Sequence, residues 1–297
     1  MKRRRDPAAV NSDIIRRPIQ RCAPVFLWPM VASFLIGFIW PFAQGLFLSF
    51  TEFRTTSKWT WVGIDNYIKA LADESFRYSF GYTAMYAIVS VILINVLAFA
   101  VAYALTQKIK GANLFRTVFF MPNLIGGIVL GYIWNILINC VLSLAGEPLL
   151  ALNKTAGYWG MIILMCWQQI GYMMIIYIAG LQSIPNEFLE AARIDGANAR
   201  QTLFQVKIPN VMPSITICMF LTLTNSFKLF DQNLALTGGD PNHATEMLAL
   251  NIYNNFYARS GAAWKGIGQA KAVVFCIMVI AISMIQLKAT RSKEVQQ

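Results

Sequence analysis

Six stretches of mostly apolar residues constrain this chain more than any other feature. They lie at roughly residues 25–50, 82–106, 117–139, 158–180, 212–230 and 268–287. Crossing about 30 Å of hydrocarbon takes about 20 such residues in a helix, so the sequence predicts six membrane spans. The fifth and sixth are shorter than the others and are interrupted by polar residues. Composition agrees, with 57% hydrophobic and only 13% charged residues, against about 25% charged in a soluble domain. Two soluble domains would fit in 297 residues, but the charges are too sparse to keep their surfaces in water. A disordered chain, a collagen-like chain and an ordinary cytosolic enzyme are excluded, and the expectation is an all-α integral membrane protein.

The net charge of +11 reads differently in a membrane protein than in a soluble one. Lys and Arg concentrate on the cytoplasmic side of membrane proteins. With the N-terminus inside, residues 1–24, 107–116, 181–211 and the C-terminal tail hold 16 of the 25 Lys and Arg, and the opposite loops hold seven. Both termini are therefore expected inside, and the basic excess is a topology signal with no call for nucleic acid. Lys228 and Lys271 are the other two, each expected near a helix end where a long side chain snorkels to the headgroups. The basic start and the Ala43-Gln44-Gly45 segment imitate a secretory signal. The apolar run from Pro24 to beyond Phe42 exceeds the roughly 7–15 residues of a signal core, so an uncleaved anchor is expected.

Soluble chemistry finds no support in the motifs. Gly261 and Gly266 have phosphate-loop spacing, but Ile267 and Gly268 stand where Lys and Ser or Thr must reach phosphate and magnesium. Cys22, Cys140, Cys166, Cys218 and Cys276 are scattered singly, without the pairing of a disulfide framework or zinc site. The single histidine, His243, falls in a predicted outer loop and is expected to be solvated. Ion-coupled transporters and intramembrane enzymes need ionisable groups within their spans; spans two, three and four contain no Asp, Glu or His. Asp231, beside Lys228, is the nearest candidate and is expected as an interfacial pair at the outer end of span five.

The loop between spans four and five carries the most information. Pro185 suits the first position of a helix, Glu187 lies in its first turn, and Gly196 suits its stop. A second amphipathic stretch with Leu203, Phe204 and Val206 follows, and Pro209 and Pro213 lead back into the membrane. These signals predict a helix–turn–helix at the membrane surface, either a structural hairpin or a docking element.

Glu190-Ala191-Ala192, Gly196 after three intervening residues, and Val206-Lys207-Ile208-Pro209 after nine more resemble the EAA loop of membrane subunits of ATP-binding-cassette (ABC) importers. Asp195-Gly196-Ala197 is similar to the subgroup that imports oligosaccharides and polyols. So are Trp61 to Tyr67 and Leu236-Thr-Gly-Gly-Asp240-Pro241, with Asp240 where that subgroup often has a third Gly. The resemblance covers residue 60 to the C-terminus and is greatest to the larger membrane subunit of maltose-type importers.

It implies a type I importer permease fold of six helices, organised as a basic tail (1–24), a first span with its loop (25–81), a five-helix core (82–288) and a short tail (289–297). The core would hold the coupling loop at 182–211, in which Glu190, Ala191, Ala192, Asp195 and Gly196 engage an ATPase without doing chemistry. The partners implied are a second homologous membrane subunit, two ATPase subunits carrying ATP and Mg, and an extracellular solute-binding protein. The setting implied is a bacterial cytoplasmic membrane, with no cofactor bound by this chain. By the same likeness, sugar contacts would come from Gln168, Gln169 and Tyr172 in span four and Thr222, Ser226 and Leu229 in span five. Gln, Thr and Ser suit sugar hydroxyls, and Trp167 or Tyr172 suits a sugar face. Equally, polar residues in spans join helices to one another. A stand-alone secondary transporter and an importer of a non-sugar solute are the alternative readings.

Overall fold

The computed structural model describes residue 25 and residues 27–107, 109–259 and 261–291. The basic tail 1–24 with Cys22, Lys108 of the second basic loop, and Lys293 in the C-terminal tail lie outside the described residues. Helix α1 (Leu27–Leu48) leads into a hairpin of β1 (Thr51–Thr55) and β2 (Lys58–Trp61). Then come α2 (Asp65–Ala72), α3 (Glu74–Leu105), α4 (Ala112–Phe120), α5 (Gly127–Leu144) and α6 (Lys154–Gln182). The loop helices are α7 (Asn186–Ile194) and α8 (Ala199–Asn210), followed by α9 (Met212–Phe227), α10 (Asp231–Leu236), α11 (Leu248–Tyr257) and α12 (Ala262–Arg291). Helices α1, α3, α5, α6 and α12 are each long and apolar enough to span a bilayer, and α8 with α9 qualifies as one span bent by 69°.

Helices α3 and α6 run side by side in the same direction and form the core. Tyr86, Ile94, Ala98 and Ala102 of α3 meet Met161, Leu164, Met173 and Met174 of α6, with Cys218 of the antiparallel α9 closing the third side. The tie points are polar. The Tyr86 hydroxyl donates to the Met161 carbonyl at 3.2 Å and the Tyr177 hydroxyl to Asn95 Oδ1 at 2.6 Å. Helix α1 is exposed along almost all of its length. Its stacked Phe34, Phe38 and Phe42 rings therefore need lipid or another subunit to cover them.

Residues 51–81 are more than the polar interruption expected between spans one and two. Buried Asn66 donates to the carbonyls of Ser49 and Thr51 at 3.0 and 2.9 Å, fastening α2 to the end of α1. Phe47, Phe50, Trp59 and Trp61 cluster beside it. Span two begins already at Glu74, because Asp73 caps it by accepting from the Ser75 N–H at 3.0 Å.

Two further expectations fail. Span three is not one helix over 117–139: α4 ends at Phe120, a tight turn runs over Met121–Leu124, and α5 starts afresh at Gly127. Pro122 and the Gly126-Gly127 pair break a run whose hydropathy is continuous. Lys271 does not snorkel. Helix α12 extends beyond the apolar run, to Ala262, so Lys271 lies well inside it, fully buried. Its ammonium is bound by Asp73 and, at 3.1 Å, by Asn251 Oδ1. Buried Glu246 accepts from Asn251 and Asn254 beside this pair, and exposed His243 leans on it at 3.3 Å.

Candidate functional site

Helix α7 is built from strong local signals. Pro185, at φ −58°, is the residue capping it rather than its first helical residue, and Glu187 and Arg193 sit at the dipole ends that suit their charges. The Gly196 N–H bonds the Arg193 carbonyl and the Ala197 N–H the Ala192 carbonyl, closing a Schellman turn with Gly196 at φ +72°. Asn198 and Gln201 then cap α8 reciprocally. The predicted helix–turn–helix is present, and Val211 marks the 69° bend at which α8 passes into α9.

The turn places the five predicted coupling residues on one small surface. Glu190, Ala191, Asp195 and Gly196 are exposed, while Ala192 is buried behind them between α7 and α8. Phe188 and Ile194 stand out beside them, Ile194 at 86% exposure. A cleft of ≈ 460 Å³ opens between α7 and α8, lined by Phe188, Ala191, Asp195, Gly196, Gln201 and Val206 among others. An apolar knob flanked by carboxylates thus stands on a helix held by its own caps, and no group of His, Cys, Asp and Glu among the described residues could hold a metal. An alanine at Gly196 meets no neighbouring atom, so its cost is the left-handed backbone alone, about 1–2 kcal/mol. Gly196→Ala is expected to speed amide exchange across α7 about tenfold and leave the spans unchanged, as hydrogen-exchange mass spectrometry would read.

The second candidate region lies halfway along the spans. Helix α6 has 29 residues, and at 1.5 Å per residue Gln168 stands about 21 Å above its loop end, near its midpoint. Gln168 Nε2 donates to the Ile125 carbonyl at 3.2 Å and its Oε1 accepts from Gln232 at 2.7 Å. Ile125 lies in the break of span three and Gln232 just after the break of span five. Two discontinuous helices thus meet at one glutamine. Gln169 accepts from Asn225 at 3.5 Å. Thr222 accepts from Asn95 at 2.9 Å and donates back to Cys218, and Ser226 donates to the Thr222 carbonyl.

Of the predicted sugar-contacting residues, Gln168, Gln169, Thr222, Ser226 and Leu229 are buried within this chain, and Tyr172 is half-buried. Their polar groups mostly join α6, α9 and α10 to one another, to α3 and to the break before α5. Trp167 is exposed and packs on Trp134 at 5.6 Å. Asn95 was missed, although it is a lone amide in the middle of an apolar span.

Lys228 and Asp231 differ from expectation in depth. Span five ends at Phe227, so these residues flank the break, level with Gln168, and not at an outer interface. Both are exposed, and the ion pairs among the described residues do not include Lys228 with Asp231. Lys228 caps the C-terminus of α9, and Asp231 opens α10 beside Gly127, the first residue of α5. Each charge therefore sits at the helix end whose dipole favours it, which helps a charged side chain persist at this depth.

Residues 110–289 match the family of binding-protein-dependent transport system inner membrane components. A probable starch degradation products transport system permease protein of Thermoanaerobacterium thermosulfurigenes is 39% identical over 92% of this chain and 94% of its own length. A multiple sugar-binding transport system permease protein of Streptococcus mutans is 33% identical over 88% of this chain and 92% of its own. Among solved structures, a bacterial ABC transporter involved in import of the acidic polysaccharide alginate superposes with a TM-score of 0.78, over 94% of this chain and 98% of that one, at 18% identity. The fold is thus that of type I ABC importer permeases, and with the helix–turn–helix loop, the broken spans and the full-length relatives in hand, the chain belongs to the binding-protein-dependent transport system inner membrane components.

Proposed function

We propose that this chain is one of two membrane subunits of an ATP-driven importer for a carbohydrate, with α7 and both termini on the cytoplasmic side. The exposed, capped α7 surface carries this reading, because a transport subunit without a nucleotide site of its own needs a place to receive work. Two ATPase subunits hydrolyse ATP with Mg, and one of them holds α7 in a cleft. Movement of α7 passes through the bend at Val211 into α9 and through Ser183 into α6, and so alternates which side of the membrane the pathway opens to. A solute-binding protein delivers the sugar from outside. The names of the starch-product and multiple-sugar relatives support a sugar, as does a trehalose/maltose permease of Thermococcus litoralis, 29% identical over 77% of this chain. The bacterial cytoplasmic membrane is the setting, and residues 82–288 are the moving core.

Gln168, Gln169, Thr222 and Ser226 line this pathway from behind by fixing the helices that shape it, with Tyr172 and Leu229 beside them. The test is co-purification in mild detergent. Wild type is expected to bring down a second membrane subunit and an ATP-hydrolysing subunit. A Glu190→Lys, Ile194→Asp variant is expected to keep the membrane partner and lose the ATPase. A wild-type chain that purifies alone and transports without ATP would replace this reading with a secondary transporter.

A further inference from the structure

Three aromatic rings form a row from the middle of the protein toward its hairpin end. Phe230 sits in the break between α9 and α10, two residues before Gln232, which binds Gln168. Its ring centroid lies 5.1 Å from that of Tyr253, and Tyr253 lies 4.6 Å from Tyr257, one turn further along α11. The direction of α11 follows from its partners on α3. The Leu248 N–H is bonded by Thr83, the Asn251 amide donates to Ser75, and Arg259, just past the helix, approaches Asp73 at 3.9 Å. These partners step back along α3 to its cap, so α11 climbs and carries the row to the hairpin end. Exposure rises in the same direction, to 38% at Tyr253 and 76% at Tyr257.

The foot of the row shows what it faces. Lys228 and Asp231 are exposed beside Phe230 at the level of mid-span Gln168. Charged side chains at that depth face water or a bundle interior, because exposure to hydrocarbon is costly. A lipid-facing aromatic belt would sit at the headgroups, whereas this row begins near mid-span. A row of neighbouring rings followed by an ammonium and a carboxylate fits a solute of hydroxylated rings. The C–H faces of such rings lie on aromatics, while their hydroxyls donate to the carboxylate and accept from the ammonium.

We propose that Phe230, Tyr253 and Tyr257 form a track on which the sugar rings descend from the outer mouth, and that Lys228 and Asp231 receive the leading ring. This rests on the carbohydrate-import reading and adds its route. The test uses the assembled importer in lipid, with the five native cysteines replaced and single cysteines at positions 228, 253 and 257. A membrane-impermeant, hydrophilic methanethiosulfonate is expected to label all three, and sugar-loaded binding protein to slow that labelling. Tyr253→Ala with Tyr257→Ala is expected to cut uptake about fivefold or more, with binding-protein-stimulated ATP hydrolysis intact and both phenylalanine variants near wild type. Labelling only by a lipid-soluble maleimide, or by neither reagent, would place the row against lipid or protein and overturn the track. Sugar uptake unchanged in the alanine pair overturns the track alone, as does loss of assembly along with uptake. A wild-type importer that carries only a non-sugar solute overturns the carbohydrate reading and the track with it.

Discussion

Asp73→Asn is expected to lower the stability of the folded chain by about 3–5 kcal/mol, the cost of stranding one partner of a buried ion pair. Asparagine still caps α3, so the loss isolates the charge. Lys271 is fully buried and keeps only Asn251 as a hydrogen-bond acceptor once the carboxylate is gone. Adding Lys271→Met removes the stranded ammonium and is expected to recover most of the loss, since an apolar side chain of similar volume replaces a buried ion pair at little cost. Thermal unfolding of the detergent-solubilised protein reads both variants, and an Asp73→Asn protein that unfolds with wild type would show that the pair contributes nothing.

The same pair has an acid limit. Burial pushes the Asp73 carboxyl up, but the hydrogen bond and charge of Lys271, the Ser75 N–H and Arg259 outweigh it and hold it below its ordinary value. A carboxyl lowered on folding contributes fully above its unfolded value of about 3.9. It loses that contribution as pH falls through the lower folded value. Wild type should therefore keep this contribution down to about pH 4, and the difference between wild type and Asp73→Asn should shrink below it.

Gly171→Ala is expected to cost about 3 kcal/mol, at the upper end for overpacking. Helix α6 passes so close to α4 at this point that a Cβ would overlap the Phe119 carbonyl and crowd the Phe120 nitrogen. The obstacle is backbone and cannot rotate aside as a side chain would. Relief requires α4 to move outward, which pulls on the break at 121–126 and on the Ile125 carbonyl that Gln168 holds. Both thermal stability and transport should fall, and Gly171→Val should fail to accumulate. Gly37 of α1 has nothing within 4 Å of its would-be Cβ, so Gly37→Ala is the matched control. A Gly171→Ala chain as stable as that control would mean the two helices do not touch there.

Much of the fold was legible because hydropathy and capping are local. The apolar runs at 25–50 and 158–180 became α1 and α6, and the signals at Pro185, Glu187 and Gly196 became α7 and its Schellman turn. Continuity was harder to read. The apolar run at 117–139 has the hydropathy of one span, and nothing in its apolarity marks that the chain turns at 121–126. The apolar run of span five extends to residue 230, three residues past the end of α9, which by sequence places Lys228 and Asp231 at an interface instead of beside Gln168.

By itself the sequence determined that this chain lives in a bilayer, where its helix–turn–helix loop lies, and which family motif that loop resembles. Each of these follows from sums and spacings along a few neighbouring residues. Only the tertiary structure decided that Lys271 is neutralised by Asp73, that Gln168 joins two broken helices, and that Tyr257, Tyr253 and Phe230 lead down to a pair of exposed charges. The reason is physical: a polar group in a membrane protein must be satisfied by whatever lies beside it. Here the neighbours come from segments 20 to 198 residues away in the chain.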